Sequence, residues 1–451
     1  MNKTLPQHTL SRRRFLGGTA ALTTAFSVVP GGVLGLNGQT SPNNKLNIAG
    51  IGIGGQGRSD LQQMAHENIV ALCDVDWRYA AGTFNQYPQA KKYKDYRKML
   101  EEQKDIDAVV VATPDHLHAC VAMAAIKMGK HVYCEKPLTH SVVEARKLAT
   151  AAREHKVATQ MGNQGQASEE TRRLCEFIWD GAIGPVREAH IWTDRPSNGL
   201  FNEYWPQGVE RPKDTPPVPE TLDWDLWLGP APQRPFNPAY LPFKWRGWWD
   251  FGTGALGDIG CHACDPVFRA LKLGHPISIE ASSSRVNDET YPVASMVHYQ
   301  FPARGDLPAV TLTWYDGGLR PHRPLELEEE QVMGDNGRLL IGERGKILGN
   351  RILPESRRRE YQEPPKTIPR SVGHYQEWID ACKGGKPAGS NFDWAGPLTE
   401  VILLGNIALR RSLRAELTRK KLLWDGPNLR ITNLEDANKY LDCEHREGWS
   451  L

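Results

Sequence analysis

Short apolar runs set close together along residues 45–161 carry the first signal in this chain. They fall at residues 45–51, 69–74, 106–113, 131–134 and 157–161, and sequence of helix length separates them. Uninterrupted runs of this size predict strands buried on both faces, and their alternation with helices predicts a parallel, doubly wound sheet. Ser141-Val142-Val143-Glu144 has the spacing of a capping box, in which the serine and glutamate each satisfy a free N–H at a helix start. Ser59-Asp60-Leu61 is expected to open the first helix, and His118 to begin the one after Thr113-Pro114-Asp115. Beyond Gly184-Pro185 the pattern becomes period two, at residues 186–192, 277–281, 295–299, 309–314 and 338–341. Alternation of that kind predicts a largely antiparallel sheet with one covered face. The expected fold class is α/β: an N-terminal Rossmann-type doubly wound parallel sheet, then a C-terminal α+β domain built on an open, largely antiparallel sheet.

Composition narrows the function classes. The chain has 451 residues, 40% hydrophobic and 24% charged, which is ordinary for a globular protein and long enough for two domains behind a leader. Its 55 basic and 53 acidic residues leave a formal charge of +2, so nucleic acid is not an expected partner. Ser11-Arg12-Arg13-Arg14-Phe15-Leu16 precedes an apolar stretch diluted with Gly and Thr at residues 17–29, the layout of a twin-arginine export signal. Such signals pass folded chains, and a cofactor loaded in the cytoplasm is the usual physical reason for folding first. A periplasmic or otherwise exported location with a tightly held cofactor is therefore expected. After the leader no apolar run approaches the roughly 18 residues of a spanning helix, so no stable membrane anchor is expected once it is removed. Eight cysteines in so long a chain do not make a disulfide scaffold. Cys261-His262-Ala263-Cys264 has metal or redox spacing, but no second pair lies nearby and His275 does not complete a zinc pattern, so no metal is expected.

The first strand run leads into Gly52-Ile53-Gly54-Gly55-Gln56-Gly57, and strand, glycine turn and helix together make the context of a dinucleotide fingerprint. Glycines admit the backbone close to a pyrophosphate, and the helix start offers free N–H donors. Asp74 ends the next strand about twenty residues on, where a carboxylate accepts bonds from ribose hydroxyls and repels a 2′-phosphate. It favours NAD, while nearby Arg78 leaves NADP open. Thr113, Pro114, His118, Glu135, Lys136 and Gln164 fall at or just beyond the carboxyl ends of strands, where such sheets bind ligands. The expected divisions are residues 1–44 as signal and linker, 45–165 as the nucleotide-binding domain and 166–451 as the substrate and oligomerisation domain.

Glu135-Lys136-Pro137 and the segment from Gly254 to Asp265 carry the candidate chemistry. Asp258 and His262, four apart, share one face if helical. Lys136, Asp258 and His262 beside a nicotinamide supply what an alcohol–ketone hydride transfer needs: a cation for the alkoxide and a base for the hydroxyl proton. Residues 194–250 form a Pro- and Trp-rich stretch holding six of the fourteen tryptophans, Trp205, Trp224, Trp227, Trp245, Trp248 and Trp249. Those rings suit sugar stacking, a dimer interface or plain packing alike. Trp245, Arg246 and Trp248 there, with Asn163, Asp258 and His262, are the candidate substrate contacts.

These segments, in this order, resemble the glucose–fructose oxidoreductase, inositol dehydrogenase and rhizopine-catabolism (Gfo/Idh/MocA) family, from Lys45 to about Leu409. The resemblance implies a Rossmann domain on NAD(P), a sheet domain whose open face serves homo-oligomer contacts in a dimer or tetramer, and a cyclic polyol, sugar or glycoside between them. It implies that Lys136 contacts substrate oxygen and nicotinamide ribose, that His262 is the acid/base and that Asp258 positions substrate. Thr113, Pro114 and Glu135 then line the cofactor. The tryptophan-rich stretch departs from a minimal inositol dehydrogenase, so small-polyol specificity does not carry over. Three activities follow: net oxidoreduction of a sugar or glycoside; glycoside hydrolysis by transient oxidation and elimination, as in NAD-dependent α-N-acetylgalactosaminidases; or sugar binding without turnover.

Overall fold

The computed structural model describes residues 44–197, 202–410 and 421–451. The arginine pair Arg12-Arg13 lies outside the described residues. β1 (Asn47–Ile51) runs into the glycine turn and α1 (Gln56–Gln63) leaves it. This helix starts at Gln56, ahead of the Ser59 start that the sequence predicts. Its cap is Gly55, which supplies no side-chain bond, so the first N–H groups are left for another partner. β2 (Asn68–Cys73), α2 (Ala81–Gln86), β3 (Lys91–Tyr93), α3 (Tyr96–Glu102), β4 (Ala108–Val111), α4 (Asp115–Lys127), β5 (His131–Glu135), α5 (Val142–His155) and β6 (Thr159–Gly162) follow. Helix α4 begins at Asp115, which places His118 within its first turn rather than at its start.

Among the described residues these strands form a six-stranded parallel sheet of order β3-β2-β1-β4-β5-β6. All four residues of β4 are buried, as a strand covered on both faces requires. The order reverses between β1 and β4, and a ligand crevice opens beyond the strand ends at such a reversal. The capping box forms on α5: Glu144 N–H donates to Ser141 Oγ at 3.2 Å and Ser141 N–H to Glu144 Oε2 at 2.9 Å.

α6 (Glu169–Trp179) leads into β7 (Val186–Trp192), and α7 (Trp224–Leu228), α8 (Gly254–Ala263) and α9 (Asp265–Leu271) precede the rest of a second sheet. Its further strands are β8 (Ser278–Ser283), β9 (Ser295–Phe301), β10 (Val310–Tyr315), β11 (Gly337–Gly342), β12 (Gly345–Leu348), β13 (Arg351–Leu353), β14 (Leu422–Asp425) and β15 (Arg430–Ile431). They lie in the order β13-β12-β11-β7-β10-β9-β8-β14-β15, antiparallel throughout except where β7 meets β10. Alternate residues of β9 are buried, the outcome of its period-two sequence. α10 (Glu355–Glu360) and α11 (His374–Cys382) lead to the apolar α12 (Phe392–Ala408), which packs on α5, α8 and β8 and so joins both sheets in one core.

The tryptophan-rich stretch builds a satellite core. Trp224 and Trp227 stack at 4.8 Å, Tyr240 meets Trp248 edge to face at 4.8 Å, and Phe251 closes the cluster. All six of its tryptophans are buried, so packing rather than an exposed aromatic platform explains most of them.

Candidate active site

A cavity of about 480 Å³ runs along the carboxyl edge of the parallel sheet, from the glycine turn past β5 to the satellite core. Gly52, Gly54, Gly55, Gln56, Asp74, Thr113, Pro114, His118, Glu135, Lys136, Gln164, Trp245, Arg246 and His262 of the expected site line it. Gly57 lies behind, packed on the Gly52 carbonyl where a Cβ would not fit. At Gly52 the positive φ of 78° and a Cβ position only 2.6 Å from the Thr113 amide both demand glycine.

The cradle fits a dinucleotide. The uncapped start of α1 presents N–H donors, Gln56 lines the cavity beside them, and the Thr113 hydroxyl is buried with no partner among the described residues. Asp74 Oδ2 accepts from Ile53 N–H at 2.8 Å and Oδ1 from Asp76 N–H at 2.9 Å, which fixes the carboxylate and leaves lone pairs for ribose hydroxyls. Burial raises its pKa to about 6 against the pull of those backbone bonds. Arg78 is exposed and not part of the cavity wall, whereas Asp74, Asp76 and Lys94 line it.

At the other end three stretches meet on one carboxylate. Lys136, just beyond β5, donates from Nζ to Asp258 Oδ1 at 2.6 Å and to the Asp258 carbonyl at 2.9 Å. Arg246, in the tryptophan-rich stretch, donates from Nε to the same Oδ1 at 2.9 Å. Its guanidinium lies 3.9 Å from the Phe243 ring centroid and 4.2 Å from that of Trp245, which holds the fork flat at the cavity wall. Burial pushes the Asp258 pKa up, but the charges of Lys136 and Arg246 outweigh it and hold the carboxyl well below its usual range. His262, one turn further along α8, is driven down to about 3 by burial and then by Lys136, so its imidazole is neutral.

Glu135, next to Lys136 in sequence, and Asp60 are two further buried acids within electrostatic reach of each other. Gln164 Nε2 donates to Glu135 Oε1 at 2.9 Å, and Tyr375 OH and Gln56 Nε2 donate to Asp60 Oδ1 at 2.8 and 2.9 Å. Burial raises both carboxyls, and Asp60 raises Glu135 further.

Several expected contacts make other bonds or sit elsewhere. His118 lines the cavity, but its ring nitrogens lie 2.8 Å from the Pro137 carbonyl and 2.8 Å from that of Thr113; burial keeps the imidazole neutral, so its single N–H serves one of the two while the ring packs between the loops that carry Thr113 and Lys136. Asn163 is fully buried against the Cys261 carbonyl at 3.5 Å and is not on the cavity wall. Trp248 donates to the Ala239 carbonyl at 3.1 Å inside the satellite core. Cys261 and Cys264 are buried in the main core. Sequence reasoning passed over Asp115, Tyr79 and Trp449, and left Trp227 open between stacking, an interface and packing; all four also line the cavity. Asp115 takes a 2.6 Å bond from Thr253 Oγ1, and burial raises its pKa to about 7. Its position directly after Thr113-Pro114 was the one signal available; the others depend on tertiary approach.

Residues 46–163 match the model of an oxidoreductase family with an NAD-binding Rossmann fold, and residues 198–307 match the model of that family's C-terminal alpha/beta domain. Inositol 2-dehydrogenase of Salmonella typhimurium is 30% identical over 146 residues, 31% of this chain and 43% of the relative. A glycosyl hydrolase family 109 protein of a Shewanella strain is 30% identical over 207 residues, 40% of this chain and 45% of that protein. The chain thus spans under half the length of the curated relatives it matches. Among solved structures, the WlbA dehydrogenase of Bordetella pertussis in complex with NADH and UDP-GlcNAcA covers 84% of this chain and 100% of its own, with a TM-score of 0.57 at 18% identity. That likeness concerns the fold, a Rossmann domain followed by an open sheet.

Proposed function

We propose, on the premise that the chain belongs to the Gfo/Idh/MocA oxidoreductase family, that it is an NAD-dependent oxidoreductase acting at a hydroxyl or ketone carbon of a sugar or glycoside. One observation carries this: Lys136 and Arg246 converge on Asp258 with His262 one turn away, and Lys136, Arg246 and His262, though not Asp258 itself, line the cavity that also holds the glycine turn and Asp74. Bound NAD supplies the hydride acceptor. An ammonium has three N–H donors, and Asp258 takes two of them at Lys136. The third is left for a substrate oxygen, where positive charge stabilises a developing alkoxide. His262 is neutral and so has the lone pair that accepts the hydroxyl proton. Arg246 also donates from Nη1 to the Phe243 carbonyl at 3.2 Å, and its other N–H groups are offered to the ring hydroxyls.

Glycoside hydrolysis by transient oxidation and elimination is the second reading, favoured by the longer match to a family 109 glycosyl hydrolase. The twin-arginine segment supports export of the folded holoprotein to the periplasm. Mass spectrometry of protein denatured after purification is expected to release NAD, and incubation with polyols, sugars and aryl glycosides separates the two chemistries. Aglycone release without net NADH selects hydrolysis; a protein that neither carries nor binds a nicotinamide nucleotide sinks both. Fractionation of an R12K/R13K variant checks export, with retention in the cytoplasm expected.

A further inference from the structure

The adenosine end of the cavity has a roof that no family motif supplies. Beyond Asp74 its wall includes Tyr96, Leu117, Trp227 and Trp449. Trp449 is 6% exposed, and its ring lies 4.4 Å under the Arg97 guanidinium and 6.3 Å from the Tyr96 ring. The Trp449 carbonyl accepts from Cys120 Sγ of α4 at 3.5 Å.

The segment that delivers this indole is tied down along its length. The Leu441 carbonyl accepts from Val143 N–H of α5 at 2.9 Å, and His445 Nε2 lies 3.0 Å from Glu144 Oε1 of the capping box. Arg446 does most of the anchoring. Its Nε donates to the Gly229 carbonyl at 2.7 Å, its Nη1 to Asp225 Oδ1 at 2.7 Å and to Gln233 Oε1 at 2.6 Å, and its Nη2 to the Asp225 carbonyl at 2.9 Å. Asp225 belongs to α7, so the segment and the tryptophan-rich stretch are clamped into one cover. Gly229, at φ 51°, passes close to α4: a Cβ there would strike Leu117, while the Trp449 ring lies at an ordinary contact distance of 3.5 Å.

A flat indole at the cavity edge on the far side of the ribose carboxylate offers a stacking face to a purine base. We propose that residues 441–451 form a strap that holds the adenine end of the dinucleotide, with Trp449 as its contact and Arg446 as its clasp. The proposal rests on the cofactor assignment above and explains physically how an exported enzyme keeps its nucleotide. Departure of the base requires the clasp to open, so the strap acts on the dissociation rate.

The test uses purified holoprotein and reads nucleotide rather than turnover. NAD retained after desalting is measured on denatured samples, and dissociation is followed by chasing labelled NAD with unlabelled NAD. W449A is expected to release NAD roughly 5- to 150-fold faster than wild type, the range that loss of one base–aromatic stack gives. W449F is expected to recover part of that loss. R446A substitutes no residue of the cavity wall and is expected to speed release as well, by freeing the segment that carries Trp449. Thermal unfolding of each variant identifies any that fails to fold; if W449A does, R446A and W449F decide. Folded variants that release NAD at the wild-type rate overturn the strap and leave the oxidoreductase proposal standing. Wild-type protein that binds no nicotinamide nucleotide overturns both.

Discussion

A single carboxylate sets the charge of the catalytic end. Asp258 faces two cations inside a buried wall, so removing the carboxylate leaves two like charges uncompensated, whereas removing either cation leaves a one-to-one pair. Lys136→Ala is expected to lower the rate of hydride transfer by about 10²–10⁴-fold, the usual scale for a lost charge stabiliser or proton-transfer partner, as read from nicotinamide absorbance in a single turnover. An unchanged rate excludes the site. Asp258→Asn leaves Lys136 and Arg246 facing each other and is expected to cost about 3–5 kcal/mol in urea unfolding. The sign is opposite at Glu135. Its pKa in the folded chain lies above the ordinary 4.5, because burial and then Asp60 disfavour the charge. Between those two values the folded state binds more protons than the unfolded one, so this contribution is present at low pH and is lost as pH rises through the folded pKa. Glu135→Gln, which copies the neutral acid, is expected to raise the Tm of nucleotide-free protein at pH 8 relative to its effect at pH 5. A wild-type pH profile left unchanged by the substitution refutes the assignment.

Elements decide which of these side chains can meet. Gly52 has to turn the chain from β1 toward α1 at φ 78°, against the Thr113 amide. Gly52→Ala is therefore expected to weaken NAD binding by more than tenfold in a fluorescence titration while leaving a folded protein; wild-type affinity would show that the turn does not need glycine. Five of the six strands of the first sheet were legible because apolar runs and their closing residues are local; β3, the short and largely exposed Lys91–Tyr93, has no apolar run and was missed. Lys136, Asp258 and His262 were legible because Glu135-Lys136-Pro137 and the Asp258–His262 spacing are local as well. Arg246 was read only as a substrate contact: its bond to Asp258 depends on the path of a long stretch that folds through its own aromatic core. Trp449 gave no signal at all, since nothing near it in sequence marks a ligand wall. Trp248 and Asn163 were drawn into the site by proximity in sequence, and the fold turned both toward packing.

At the scale of the whole molecule, the two sheets share a core through α12, and the cleft between them is crossed by bonds from a single turn of α4 and the loop after β5. His116 N–H and Nδ1 both face the Phe251 carbonyl, at 3.3 and 3.1 Å, and Nε2 faces that of Trp227 at 3.0 Å. His140 Nε2 meets the Gly252 carbonyl at 3.0 Å, and Thr253 bonds Asp115. Burial keeps His116 neutral, so its one ring N–H serves one of the two carbonyls its ring faces, and swinging the lobes apart would strip the buried groups that do have donors, at roughly 1–3 kcal/mol each. Hinge opening is thus a poor route for a ligand to enter. The lobes behave as a stapled jaw, and small-angle scattering is expected to give the same radius of gyration with and without ligands. On the proposed function, traffic then passes through the loops at the mouth, and the size of substrate that can be presented is set by a fixed aperture rather than by how far the lobes gape.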